Sequence, residues 1–161
     1  MQPDRTAPLT VALYQPDIPQ NTGTILRMCA CLGLAAAIIE PAGFLASYKH
    51  FRRAGMDYLA HVEIVRYPHF GAFEEWRRAN GRRLVLLTTK AGQAYTDFCY
   101  LPGDILLFGR ESAGVPAKVH AAADARLLIP MKHKMRSLNV AVAAAMAAGE
   151  ATRQMRLSGF C

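Results

Sequence analysis

Three separated segments of this 161-residue chain carry polar residues of types that can bind a ligand and stabilise developing charge. The first holds Asn21 with Arg27 six residues beyond it, the second holds Glu111 in a glycine-flanked turn, and the third holds Ser137 and Asn139. An arginine can orient a sugar or phosphate and stabilise a developing oxyanion, but its pKa above about 12 makes it a poor general base. Positioning and charge stabilisation are therefore the chemistry expected of Arg27.

Each of these polar residues also has an ordinary structural interpretation. Asn21 is placed to cap the helix that follows it, and Arg27 is then a solvated charge on that helix. Glu111 suits an exposed turn carboxylate, while Ser137 and Asn139 suit the cap of the last helix. The residues alone leave both alternatives open.

The glycines exclude two common nucleotide-binding motifs. None of the twelve is separated from another by a single residue, so there is no GxG and no dinucleotide-binding fingerprint. The segment GRESAG at 109–114 is followed by Val115 and Pro116, where a P-loop requires Lys and then Ser or Thr. The second segment is therefore a tight turn after a strand, and not a Walker motif.

The elements that must position these segments alternate in type along the chain. Strands are predicted over 9–14, 36–40, 62–67, 84–89, 105–108 and 127–129, and helices over 22–32, 72–80 and 137–155. The opening strand, helix and strand have the length of a crossover unit, and such units build parallel sheets. We predict one α/β domain over residues 1–161, in which Gly33 ends the first helix and Pro116 starts a later one.

Composition favours a globular protein with a polyanionic partner. Hydrophobic residues make up 52% of the chain, and 19 Lys and Arg against 12 Asp and Glu give a net charge of +7. No apolar run approaches membrane-spanning length and the start lacks a signal-peptide pattern, so we expect a cytoplasmic protein without a membrane partner. The four cysteines lack the spacing of a disulfide framework or a zinc site, and no metal is expected.

In their order and separation, the three segments resemble the motifs of the SpoU branch of the SPOUT methyltransferases. The matching stretches are PDIPQNTG at 16–23 with Arg27, LFGRESAGVP at 107–116, and IPM at 129–131 leading to RSLNVA at 136–141. The stretches RRAGMDY at 52–58 and LTTK at 87–90 are similar to the small tRNA ribose methyltransferases that act on the wobble nucleotide. The resemblance spans nearly the whole chain.

The resemblance implies a parallel-sheet SPOUT fold with a C-terminal trefoil knot, working as a homodimer. It also implies transfer of a methyl group from S-adenosyl-L-methionine to the ribose 2′-hydroxyl of cytidine or uridine 34 of a tRNA, expected to be a leucine tRNA. S-adenosyl-L-homocysteine is then the product. Two alternatives stay open: methylation of another tRNA or rRNA nucleotide, and a catalytically silent RNA-binding factor on the same scaffold.

Site residues follow from the same resemblance. It implies catalytic roles for Arg27, Asn21, Glu111 and Asn139; cofactor contacts for Leu87, Thr88, Gly109, Ile129, Ser137 and Leu138; and RNA contacts for Arg52, Arg53, Arg110, Lys132, Lys134 and Arg136. Glu111 is expected to fix Arg27 or Asn139, and backbone N–H groups at the start of the last helix to hold the methionine carboxylate.

Some of these positions, and one further charge cluster, suit structural roles equally well. Leu87 and Ile129 fit simple core packing at strand ends. The arginines between positions 77 and 83 surround a predicted helix end, and we interpret them as a solvated face. The last helix is apolar on nearly every side, which predicts cover by its own domain and by a second subunit.

Overall fold

A computed structural model describes residues 7–42 and 57–157, so the predicted RNA contacts Arg52 and Arg53 lie outside the described residues. The strands are β1 (Thr10–Tyr14), β2 (Ala35–Ile39), β3 (Ile64–Tyr67), β4 (Leu84–Leu87), β5 (Gln93–Ala94), β6 (Ile105–Phe108) and β7 (Ala125–Leu128). The α-helices are α1 (Pro19–Leu32), α2 (Phe70–Ala79), α3 (Ala117–Ala122) and α4 (Val140–Leu157), with short 3-10 helices at Asp57–His61 and Tyr95–Asp97. Within these two described ranges, no helix has the length and apolar character needed to cross a membrane.

The seven strands form one parallel sheet in the order β3-β2-β1-β6-β4-β7-β5. This confirms the predicted parallel α/β architecture. The later strands are interleaved with the earlier ones, because β6 lies between β1 and β4 and β7 lies between β4 and β5. The carboxyl ends of β4, β6 and β7 therefore lie side by side. The trefoil knot itself stays a prediction.

Both faces of the sheet are covered, which explains why the central strands are continuous apolar runs. All residues of β1, β2, β4 and β6 are buried. On one face, Ile25 and Cys29 of α1 pack in the same core as Ala144 and Ala147 of α4. On the other face, Phe73 of α2 packs with Val119 of α3. The small side chains of α4 let that helix lie close to the sheet and to α1.

Two helix starts differ from the sequence prediction by about one turn. Helix α1 begins at Pro19, with Ile18 as its N-cap, so Asn21 lies inside the first turn and the expectation that it caps the helix is wrong. Proline suits this first position because its missing N–H has no helical partner there. Helix α4 begins at Val140, and the residue that caps it is Asn139. Gly33 ends α1 at a φ of 67°, as predicted.

The arginine cluster of residues 77–83 is largely structural, which corrects its interpretation as a solvated face. Arg77 is 6% exposed, and its guanidinium donates to Glu74 at 2.7 and 3.0 Å and to Asp124 at 2.8 Å. Arg83 pairs with the buried Asp104 at 2.7 Å. The Arg77–Asp124 pair joins α2 to the amino end of β7, and the Arg83–Asp104 pair joins the amino ends of β4 and β6.

Candidate active site

A cleft of about 440 Å³ lies at the carboxyl ends of β4, β6 and β7. Its volume is typical of a small-molecule site, and its place is where open parallel sheets bind ligands. The predicted residues that line it are Asn21, Leu87, Thr88, Gly109, Arg110, Glu111, Ile129, Ser137, Leu138 and Asn139. The structure thus brings together every predicted catalytic or cofactor-binding residue except Arg27. Leu87 is only 9% exposed and belongs to the core at the end of its strand, as well as lining the cleft.

A chain of hydrogen bonds crosses the cleft and joins the three sequence segments. The Asn139 side-chain amide donates to Asn21 Oδ1 at 2.9 Å, and the Asn21 amide donates to Glu111 Oε1 at 3.5 Å. The other Glu111 oxygen accepts from the backbone N–H of Asp17 at 3.0 Å. Glu111 therefore reaches Asn139 through Asn21, whereas no hydrogen bond joins it to Arg27 among the described residues. Glu111 is half-buried in the cleft wall, so its interpretation as an exposed turn carboxylate is wrong.

Asn139 both lines the cleft and caps α4. Its Oδ1 accepts from the N–H groups of Ala141 at 2.8 Å and Val142 at 3.4 Å, and its backbone carbonyl accepts from Ala143 at 3.0 Å. Two of the N–H groups expected to hold a ligand carboxylate are therefore already occupied by this side chain. What the helix start still offers an anion is the positive end of its dipole.

Arg27 lies outside the cleft lining, on the exposed surface of α1. Its Nη2 donates to the Tyr58 hydroxyl at 3.4 Å, and its guanidinium carbon lies 4.6 Å from the centre of the Tyr58 ring. Six residues of helix separate it from Asn21 by about 9 Å along the axis and about 240° around it. Arg27 and Asn21 therefore lie on different sides of α1. The Arg27 side chain is at the surface, and its guanidinium stacks on the Tyr58 ring.

Asp17 adds a second carboxyl group beside Glu111, and sequence reasoning missed it. Burial raises the pKa of Glu111, and its side-chain hydrogen bond with Asp17 raises it further. The pKa of Asp17 is lowered to about 2, mainly by the hydrogen bond with Glu111 and then by the Ser112 hydroxyl, with Arg110 nearby. The two pKa values therefore move in opposite directions, and Glu111 is the more readily protonated carboxyl group of the pair. The sequence feature that could have indicated Asp17 is the presence of an acidic residue inside the first motif, at 16–23.

The loop that carries Glu111 closes on itself and requires glycine at its start. Arg110 and Gly114 exchange two backbone hydrogen bonds of 3.0 and 2.8 Å. A Cβ atom on Gly109 would lie 2.6 Å from the carbonyl carbon of Gly114, closer than real contacts allow. Gly109 is therefore needed for this close backbone approach.

The basic residues after β7 are exposed beside the cleft. Lys132, Lys134 and Arg136 are all exposed, between the lining residues Met131 and Ser137. Their position leaves them open to a polyanion that approaches the cleft.

Arg110 differs from the basic residues after β7, because it already has partners in the chain. Its Nη1 donates to the Gln15 side chain at 3.5 Å, and its Nη2 lies 3.6 Å from an Asp17 oxygen. The RNA contact predicted for Arg110 therefore competes with these interactions.

Comparison with known proteins gives concordant matches. Residues 8–149 match the SpoU rRNA Methylase family. A tRNA (cytidine(34)-2′-O)-methyltransferase from Beijerinckia indica subsp. indica is 68% identical over 145 residues, which cover 90% of this chain and 91% of that protein. A solved structure concerned with the 2-OH methylation of C/U34 on tRNA is 41% identical, with a TM-score of 0.85 over 94% of this chain and 98% of its own. The SpoU methyltransferase AviRb from Streptomyces viridochromogenes, solved with AdoMet, is 31% identical, with a TM-score of 0.85 over 97% of this chain and 63% of its own.

Proposed function

The chain belongs to the SpoU methylase family, and on that premise we propose that it methylates the ribose 2′-hydroxyl of nucleotide 34, a cytidine or uridine, in a tRNA. The observation that carries the proposal is the hydrogen-bonded chain Glu111, Asn21 and Asn139, which brings all three motifs into one ligand-sized cleft. The relative that is 68% identical bears the name of this activity. A leucine tRNA in the cytoplasm is the substrate we propose.

The cleft fits S-adenosyl-L-methionine by its size and by the chemistry of its walls. Leu87, Ile129 and Leu138 offer an apolar surface for an adenine ring, while Ser137 and Thr88 offer polar groups at its edge. The dipole at the start of α4 favours the carboxylate of the methionine portion. When bound, the cofactor supplies a methyl group already activated on a sulfonium.

The remaining work for the protein is to position the ribose and to assist loss of its proton. We propose that the Asn21 amide, fixed from both sides by Glu111 and Asn139, orients the 2′-hydroxyl toward the donor. Arg27 lies outside the cleft, so it acts on the RNA that enters, where it stabilises negative charge on ribose or phosphate. A guanidinium stays protonated, so a phosphate oxygen or water takes the hydroxyl proton.

Changing Gly109 to alanine is expected to weaken binding of S-adenosyl-L-methionine at least about tenfold, because the new methyl group forces the 109–114 loop open. Isothermal titration calorimetry measures the affinity. Gly92→Ala is the matched control, since Gly92 is exposed and a Cβ there meets no atom within 4 Å. Equal affinities of the two variants would contradict a role for the loop in the cofactor site.

The experiment that tests the proposed function uses the purified chain, tritiated S-adenosyl-L-methionine and an unmodified leucine tRNA transcript. Label is expected at nucleotide 34 after nuclease mapping, and a transcript with 2′-deoxyribose at that position is expected to take up none. Label at another nucleotide would favour the first alternative enzyme. RNA binding without any transfer would favour the silent factor.

Replacing both Lys132 and Lys134 with alanine is expected to weaken tRNA binding and to flatten its salt dependence. For each phosphate contact that is lost, the plot of log affinity against log salt concentration becomes less steep by about 0.7 to 0.9. Filter binding over a salt series measures the slope. Changing both Arg78 and Arg156 to alanine is the control, because it removes two exposed charges elsewhere, Arg156 lying about 24 Å along α4 from its start. An unchanged slope in the lysine variant would show that this loop does not contact the RNA.

A homodimer formed through the start of α4 is part of the proposal. Leu138, Val142 and Met146 follow one another at intervals of four residues and are 39%, 49% and 37% exposed. Val142 and Met146 are four residues apart within α4 and therefore share one face of the helix, while Leu138 precedes the helix and Ala145 is also exposed. We refer to these exposed apolar side chains as the stripe. A second copy of this chain is the occupant we propose for the stripe. Light scattering is expected to give twice the chain mass of 17.6 kDa, and a monomer would overturn it.

A further inference from the structure

We propose that Asp17 is a positioning residue for methyl transfer, which sets both the place and the charge state of Glu111. The inference rests on the proposed function, because it concerns a residue beside the same cleft. Asp17 itself does not line that cleft, so its effect on the reaction passes through Glu111 and Asn21.

Asp17 joins two loops that are far apart in the sequence. Its backbone N–H donates to Glu111 Oε2 at 3.0 Å across 94 residues of chain. Its carboxylate accepts a hydrogen bond from the Ser112 hydroxyl and lies 3.6 Å from Arg110 Nη2. One residue thus holds three consecutive residues of the second motif. Because Glu111 is then aimed at the Asn21 amide, loosening Asp17 is expected to loosen the orientation of Asn21.

The second effect is electrostatic. Asp17 Oδ1 is buried and has no hydrogen-bond donor among the described residues, and the neighbouring Glu111 carboxyl group can supply one when it is protonated. Two adjacent carboxyl groups resist simultaneous ionisation. Among the described residues, the charged residue that contacts Glu111 is Asp17 from the loop after β1, and Arg110 lies 3.6 Å from the Asp17 carboxylate. Helix α1 presents the neutral Asn21 to Glu111, and Asn21 in turn contacts the neutral Asn139 at the start of α4.

The direction of the pH effect follows from which form of Glu111 orients Asn21. The ionised carboxylate accepts from both the Asn21 amide and the Asp17 N–H, so methyl transfer is expected to rise with pH as Glu111 loses its proton. The pKa of Glu111 is raised by burial and by Asp17. Removing the negative charge of Asp17 lowers that pKa, and the acid limb of the rate profile then moves to lower pH.

The test compares pH profiles of kcat for the wild type, Asp17→Asn and Ser112→Ala. Asp17→Asn is expected to shift the acid limb down by about one pH unit and to lower the plateau severalfold, with KM for tRNA little changed. Ser112→Ala removes the hydrogen bond from the Ser112 hydroxyl to Asp17 but keeps the negative charge of Asp17, so the acid limb of its pH profile is expected to stay in place. Asp97→Asn, an exposed acid outside the cleft lining, controls for net charge. An acid limb that stays in place in Asp17→Asn would overturn the proposal.

A direct titration separates failure of this inference from failure of the proposed function. Carbon-13 carboxyl NMR follows Glu111 in the free protein, with Glu111→Gln assigning its signal. The pH midpoint of the Glu111 titration is expected to fall in Asp17→Asn and to stay unchanged in Ser112→Ala, whether or not the tRNA is methylated. If the wild type methylates nucleotide 34 but the midpoint does not move, only the role of Asp17 fails. If the midpoint moves but no tRNA is methylated, the proposed function fails instead.

Discussion

Replacing Arg27 with alanine is expected to lower kcat for tRNA methylation at least about 100-fold, while the affinity for S-adenosyl-L-methionine stays within twofold. The separation of the two effects follows from the position of the side chain. Arg27 does not line the cleft, so the cofactor loses no contact, whereas the RNA loses a cation held on the Tyr58 ring. Single-turnover methylation measures the rate, and calorimetry measures cofactor binding.

Two further substitutions show what property of Arg27 is used. Arg27→Lys keeps the charge but loses the planar guanidinium that stacks on Tyr58 and pairs with planar anions, so an intermediate rate is expected. Arg66→Ala, which removes another exposed arginine paired with Glu40, is expected to leave the rate unchanged. Ordinary turnover by the Arg27→Ala protein would remove this residue from the mechanism.

The sheet was largely predictable because its strands are buried on both faces. Residues 105–108 are an apolar run in the sequence and form β6 with the same bounds, and 9–14 contains all of β1. The strand β5 has only two residues, Gln93 and Ala94, which is too short to produce an alternating pattern. Neither periodicity nor composition indicates that β6 enters between β1 and β4, because strand order depends on contacts across the whole chain.

The site residues that belong to a recognisable motif were predictable from the sequence, whereas those whose role depends on a tertiary contact were not. Asn21, Glu111 and Asn139 meet in the cleft as the resemblance implied. Asp17 carries no local pattern of its own, because its role arises from a partner 94 residues away. The same reason explains Arg77, whose partner Asp124 lies 47 residues along the chain, so a run of arginines suggested only a solvated face.

The buried Arg77 gives the largest stability effect we expect. Arg77→Ala is expected to lower the free energy of unfolding by about 3 to 5 kcal/mol, because it leaves the carboxylate of Glu74, which is 9% exposed, without its buried partner. Arg78 also pairs with Glu74, at 2.9 Å, but its side chain is 72% exposed, so Arg78→Ala is expected to cost about 1 kcal/mol or less. Urea denaturation followed by circular dichroism measures both.

A double substitution distinguishes two causes of the stability loss at Arg77, namely a buried charge that has lost its partner and lost side-chain packing. If the cost comes from leaving the buried Glu74 carboxylate ionised with only the exposed Arg78 as its partner, Arg77→Met combined with Glu74→Leu removes both buried charges and is expected to recover much of the stability. If the cost comes from packing alone, Arg77→Met by itself recovers it. These residues lie by the start of β4, whereas the cleft lies at its far end, so kcat of the folded protein is expected to stay unchanged. A loss in Arg77→Ala no greater than that in Arg78→Ala would contradict a structural role for this ion pair.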